Sequence, residues 1–243
     1  MTACGRETLI AVFLSVIVAH AENSVKGQVL GGGVPIANST VTLWEASADA
    51  PRQLAHSKTD SDGRFQISVR SRKSDTSLYL LATGGIPQGK TADNPHVVLL
   101  AVIGSKPPAQ VVVDEMTTIA SVITHTQFID DTAIKGSPLA LRIAAANVPN
   151  FVDLKTGDYG TTILDPLNSS QTPTMANFAT LANILAACVT QIKDDACGSL
   201  YYVATSPTGG YPKDTLDAIE AIVRNPSYKA DKVFGAFNYG LAI

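Results

Sequence analysis

Residues 109–128, AQVVVDEMTTIASVITHTQF, decide the fold. The apolar run Val111-Val112-Val113 reads as the end of a strand. It runs into Asp114, and the pattern then changes period. Met116, Ile119, Ala120 and Ile123 fall three and four apart, which is the spacing of a buried helix face. The chain before this switch has β periodicity and the chain after it has helical periodicity. The fold class is therefore α+β: an N-terminal β-sandwich succeeded by an all-α unit. Because the valines lead directly into the helix, a rigid junction with packed faces is expected there. The boundaries read from the sequence are 22–108 for the sandwich and 109–243 for the helical unit.

Backward from the switch, short apolar segments alternate with Gly, Pro and Asp. Residues 27–30 open the first strand, and Gly31-Gly32-Gly33 with Pro35 makes a turn. In residues 39–45, Val41, Leu43 and Glu45 point one way and Thr40, Thr42 and Trp44 the other. Residues 53–59 form a weaker strand. Asp60-Ser61-Asp62-Gly63 is a turn whose glycine can take positive φ. Phe65, Ile67 and Val69 then share a face, and residues 77–83 and 97–104 are apolar enough to be central strands. Strands this short, at this spacing, indicate a β-sandwich.

Forward from the switch, residues 138–146 form a second helix through Leu139, Ile143 and Ala146. Residues 150–174 hold Gly157, Gly160, Pro166 and Asn168-Ser169-Ser170, and read as a long surface loop. In MANFATLANILAACVTQI, residues 175–192, Met175, Phe178, Leu181, Leu185, Cys188 and Ile192 make one continuous stripe, with Thr174 as N-cap. Residues 197–204 come next. A helix after Tyr211-Pro212 carries Leu216, Ile219, Ile222 and Val223 and ends at Asn225-Pro226. Val233, Phe234 and Phe237 suggest a last short helix.

The N-terminus reads as an export signal. Arg6 precedes the apolar run 9–18 and Ala19-His20-Ala21, a small-x-small cleavage site. Residues 1–21 would be removed and the mature chain would begin at Glu22, outside the cell, on its surface or in a periplasm. A retained N-terminal anchor is the alternative. No later stretch is long and apolar enough to span a membrane. Cys4 leaves with the signal, so Cys188 and Cys197 remain. An even pair in an exported chain suggests one disulfide; a metal site is the alternative, but no histidine is near in sequence. A net charge of −3 argues against a nucleic-acid partner, and a charged fraction of 16% against a disordered or polyelectrolyte chain. The basic run Arg70-Ser71-Arg72-Lys73 reads as a solvated loop.

Two sets of residues carry a resemblance. Gly27-Gln28-Val29, then residues 33–43 (GVPIANSTVTL), then residues 59–65 (TDSDGRF) resemble a carboxypeptidase regulatory-like domain. Such domains are transthyretin-like or immunoglobulin-like sandwiches, grouped with carbohydrate-binding-like folds. The resemblance brings no protease chemistry, because the zinc ligands of metallocarboxypeptidases lie in a separate domain. Residues 113–121 (VDEMTTIAS), 181–189 (LANILAACV), Asp214-Thr215-Leu216 and 221–226 (AIVRNP) resemble a helical module of exported bacterial proteins. There the module comes after a regulatory-like sandwich and precedes an NHL-type β-propeller. The family carries no settled activity to transfer.

No residue pattern specifies catalysis. His56, His96 and His125 lie in separate elements and read as surface or strand histidines. There is no G-x-S-x-G elbow to activate a serine. Asp130-Asp131 and Asp194-Asp195 are sequence neighbours, which point apart. Asp60-x-Asp62-Gly63 begins like a calcium loop, but its twelfth position is Ser71 instead of a bidentate carboxylate. Trp44, with Tyr79 as neighbour, could stack on a sugar ring, or could pack the core. No cofactor or metal is expected. The leading expectation is a non-enzymatic exported scaffold or adhesion-type module with a protein or cell-surface glycan partner. A carbohydrate-binding protein that uses the sandwich is the alternative, and a hydrolase with an unrecognised site is third.

Overall fold

The computed structural model describes residues 23–69 and 75–236. The export signal, the basic run 70–73 with Ser71, and Phe237 lie outside the described residues. β1 (Asn23–Gly31) turns through Gly32 and Gly33, both at positive φ, into β2 (Val34–Ala37). Then come β3 (Thr40–Glu45), β4 (Arg52–Lys58), β5 (Arg64–Val69), β6 (Leu78–Thr83), β7 (Ile86–Pro87), β8 (Val98–Gly104) and β9 (Gln110–Val113). One sheet runs β5-β1-β2-β7, with β9 also on β1; the other runs β4-β3-β6-β8. The alternation of β3 is explicit: Val41, Leu43 and Glu45 are buried while Thr40, Thr42 and Trp44 are half-buried.

The strand read at residues 109–113 forms as β9, and its partner is what the sequence does not show. It pairs in parallel with β1, from Lys26 opposite Gln110 to Val29 opposite Val113. The strand system therefore includes residues 110–113. A parallel neighbour arrives by a long crossover and leaves no local hairpin signal, so periodicity does not reveal its membership.

The helices are α1 (Glu115–His125), α2 (Pro138–Asn147), α3 (Pro166–Ser169), α4 (Thr174–Val189), α5 (Ala196–Ala204), α6 (Thr215–Arg224) and α7 (Ala230–Ala236). A small hairpin, β10 (Ile129–Asp130) with β11 (Ala133–Ile134), separates α1 from α2. Asp114 caps α1 reciprocally: its carboxylate accepts from Thr117 N–H at 2.8 Å, and Thr117 Oγ1 accepts from Asp114 N–H at 2.9 Å. Thr174 is the first helical residue of α4, with Pro173 at the cap position. The stripe of α4 ends at Cys188 and Val189, since Gln191 turns left-handed at φ 50° and Ile192 lies beyond it, exposed. Residues 150–174 are not a free surface loop. They contain α3, bury Val152 and Ile163, and bond to β9 through Val112 N–H and Leu154 O.

One hydrophobic core runs through both halves, from Val25 and Leu80 to Leu185 and Ile219. The contact between sheet and helices is made at an edge. β8 is the last strand of its sheet, so alternate N–H groups face outward and need partners. Thr215 Oγ1 accepts from Val98 N–H at 2.8 Å, Thr118 Oγ1 from Leu100 at 3.0 Å and Ser121 Oγ from Val102 at 2.9 Å. Hydroxyls of α1 and α6 thus stand in for a missing strand. Thr118→Val should cost about 1–3 kcal/mol in a denaturant melt, because it leaves a buried amide without an acceptor. Thr118→Ser should cost well under half as much. Equal losses for both variants would show that the hydroxyl is not the cause.

Candidate functional site

Trp44 and Tyr79 are opposite each other on β3 and β6 and stack at 6.3 Å between ring centroids, 11° from parallel. Tyr79 is 1% exposed, and its hydroxyl accepts from Ile134 N–H at 3.4 Å. Burial pushes that hydroxyl's pKa up to about 12. Trp44 is half-buried, and its indole N–H is enclosed without a partner among the described residues. The pair therefore packs one side chain on the other, and Tyr79 offers no ring face to a ligand. The Asp60 carboxylate is taken up by its own turn, accepting from Asp62 and Arg64 N–H at 2.9 and 2.8 Å.

The histidines separate. His56 is exposed on β4. His125, read from sequence as a surface or strand residue, is fully buried at the end of α1. Burial lowers its pKa to about 4, so it is neutral in the fold. Its helical spacing from Val122 and Ser121 is the signal that could have placed it on the inner face. His96 precedes β8 and lies at a cleft.

That cleft forms around the disulfide. Cys188 is buried in the last turn of α4, Cys197 lies in the first turn of α5, and the two are bridged with Cα atoms 4.4 Å apart. Residues 197–204 have no helical reading in the sequence, because Gly198 and the β-prone Tyr-Tyr-Val obscure the period. Asn94 ties the β7–β8 connection to the bridge. Its amide donates to Cys188 O and Val189 O at 2.9 and 3.1 Å, while its Oδ1 accepts from His96 N–H at 3.1 Å. His96 O in turn accepts from Thr215 N–H at the start of α6. The His96 ring is held by Tyr201 of α5, with Nδ1 to hydroxyl at 3.1 Å. Tyr211 meets Tyr201 edge to face, at 5.7 Å and 84°. Segments distant in sequence thus enclose a cleft of about 550 Å³.

A second set of groups escapes the sequence reading altogether. Asp114, Glu115 and Glu220 are buried carboxyls. Glu115 Oε1 accepts from Gly32 N–H at 2.7 Å, which ties α1 to the β1–β2 turn. Burial first, then the adjacent Asp114 charge, raises its pKa to about 8. Burial also raises Asp114 to about 6, against its bonds from Thr117. A Cβ on Gly157 would come within 2.2 Å of Asp114 Oδ2, so glycine admits that carboxylate. Glu220 Oε2 pairs with Arg224 at 2.9 Å, and Glu220 Oε1 is enclosed without a partner among the described residues. Burial raises Glu220 to about 7. Of these acids Glu115 ties two elements together, Asp114 caps its own helix and Glu220 pairs within α6; none of the three lines the cleft.

A family model, the Transthyretin-like family, matches residues 26–81, which span β1 to most of β6. This agrees with the two sheets, and the fold is α+β, a transthyretin-like N-terminal sandwich with a helical region after it. Among solved structures, 43% of the chain is similar to 17% of a 9R-lipoxygenase from Cyanothece PCC8801, at 18% identity and a TM-score of 0.24. That likeness carries no argument about fold or activity. No curated protein sequence matches the chain. Among the described residues, no helix is long and apolar enough to cross a membrane.

Proposed function

We propose that the chain is an exported, non-enzymatic interaction module, in which the sandwich is the scaffold and the disulfide-bonded helical face makes the contacts. One observation carries this reading. Among the described residues, every large hydrophobic side chain that is mostly exposed lies between Leu139 and Phe234, and none lies on the sandwich. Single exposed apolar residues are ordinary. Their confinement to one half of a chain that shares one core is not, and it suits a contact surface for a protein or glycan. Tyr79 is buried and Trp44 is half-buried against it, which favours the helices over the sandwich as the recognition surface.

Three experiments test it. Binding of the purified, oxidised chain to the envelope of its producing cells should fall several-fold in Leu139→Ser/Ile143→Ser or Tyr211→Ala. It should be unchanged in Lys58→Ser, on the exposed strand β4. Loss in the β4 variant alone would overturn the assignment to the helical face, and turnover in a hydrolase screen would overturn the non-enzymatic reading. Export rests on residues 1–21: intact mass of secreted protein should begin at Glu22, and Met1 retained on cytoplasmic protein would contradict it.

A further inference from the structure

We infer that the cleft beside the Cys188–Cys197 bridge binds a neutral, hydroxyl-rich ring, a pyranose of a glycan. This rests on the reading of the chain as an interaction module and names the surface and ligand class for it.

The size of the cleft, about 550 Å³, falls within the range of small-ligand sites. Its chemistry narrows the class. The lining holds no leucine, isoleucine, valine, phenylalanine or methionine. A lipid chain or an aliphatic peptide anchor would therefore find nothing to pack against. The contrast is the groove between α4, α6 and α7, about 230 Å³, which is walled by Leu181, Ile222, Val233 and Phe234. Charge excludes a second group of ligands. Lys193 and Lys213 are matched by Asp194 and Asp195, so the lining has no excess positive charge with which to select a phosphate or a sulfate. Lys213 is further occupied by an ion pair with Asp131.

What remains is an aromatic ring among closely spaced donors and acceptors. Tyr211 is 63% exposed, with its position fixed from one side by Tyr201. The apolar C–H face of a pyranose can lie on such a ring while its hydroxyls reach carboxylates, ammonium groups and the Gln191 amide. Each pyranose hydroxyl can both donate and accept, which suits a lining that holds carboxylates, ammonium groups and an amide. The walls are also fixed before a ligand arrives. Asn94 clamps the end of α4, His96 is bonded to Asn94, Thr215 and Tyr201, and the disulfide joins α4 to α5. A preformed site spares the ligand the cost of ordering it.

The test uses the oxidised chain from Glu22. Neutral oligosaccharides built on glucose, mannose, galactose and N-acetylglucosamine are arrayed beside a polyuronate and a sulfated glycan, and hits are titrated by calorimetry. At least one neutral glycan should bind. Tyr211→Ala should weaken it about tenfold, equivalent to 1.4 kcal/mol. Tyr211→Trp should restore it, and Lys58→Ser, on β4 and away from the cleft, should leave it unchanged. Recovery in the tryptophan variant guards against loss by misfolding. Three results would overturn the inference: binding of charged glycans alone, no binding at all, or binding indifferent to Tyr211→Ala. Envelope binding that persists without any glycan hit would sink this inference and spare the interaction-module reading. Shortening of the bound glycan, seen by chromatography, would sink the non-enzymatic reading and spare the site.

Discussion

Glu115→Gln is expected to raise the melting temperature at pH 8.5 and to leave it nearly unchanged at pH 5. Glu115 is 2% exposed, and its pKa is raised from 4.5 to about 8, chiefly by burial. In the unfolded chain it is an ordinary carboxylate. Between those two values the folded state holds a proton that the unfolded state has lost, so stability falls as pH rises. The stability associated with the neutral acid is fully present below about 4.5 and is lost as pH climbs through 8. Asp114 and Glu220 act with the same sign, over windows that end near 6 and 7. His125 acts oppositely: its folded pKa of about 4 lies below 6.5, so stability rises with pH across that interval. Above pH 6.5 only Glu115 and Glu220 among these four still titrate differently in the two states, and neither His125 nor Asp114 offsets the decline there.

Glutamine reproduces the neutral acid, since its amide oxygen can accept the Gly32 N–H bond that Glu115 Oε1 accepts now. The ionised side chain in this site costs on the order of 2–4 kcal/mol at pH 8.5. For a chain of this size that corresponds to roughly 5–15 °C. Melts of wild type and variant from pH 5 to 9 check the claim. Parallel curves would refute it, because a purely structural change shifts Tm equally at all pH values. Glu115→Ala separates the tie from the charge: it should lower Tm at pH 5, where glutamine does not.

The sandwich is legible because its information is local. The period of two in β3 and β5, and the turn chemistry at Gly32-Gly33 and residues 60–63, each act within a few residues. The α4 stripe and the bridge are legible for the same reason, as 3.6-residue spacing and a pair of cysteines nine apart. The hidden features are long-range. β9 joins β1 in parallel across the length of the sandwich sequence. The hydroxyls of Thr118, Ser121 and Thr215 look like ordinary helix surface until the edge of β8 is placed beside them. Glu115 reads as a favourable charge in the first turn of a helix, and only the Gly32 turn beside it makes it a buried acid. The cleft draws on His96, Gln191, Tyr201 and Tyr211, which no spacing rule connects.

Cys188→Ala should cost more stability than Cys197→Ser, although each removes the same bond. The bridge closes a loop of nine residues' separation. On the chain-entropy estimate, closing so short a loop contributes about 2.5–3 kcal/mol, which both variants lose. The surroundings of the two sulfurs differ. Cys188 is fully buried on α4, among Leu185, Val189 and the helices packed over them. Alanine there removes a large sulfur from a close-packed interior and adds about 1 kcal/mol for the space left behind. Cys197 is only partly buried and borders the cleft, where a serine hydroxyl can be solvated. Thermal melts should therefore show a loss of roughly 5–11 °C for Cys197→Ser and a few degrees more for Cys188→Ala. Reduced wild type should melt with Cys197→Ser, since it too keeps the packed Cys188 sulfur and lacks only the bond. A thiol count on denatured, unreduced, secreted protein comes first. Two free thiols would mean the bridge does not form outside the cell, and equal losses in the two variants would mean the buried sulfur adds nothing beyond the bond it makes.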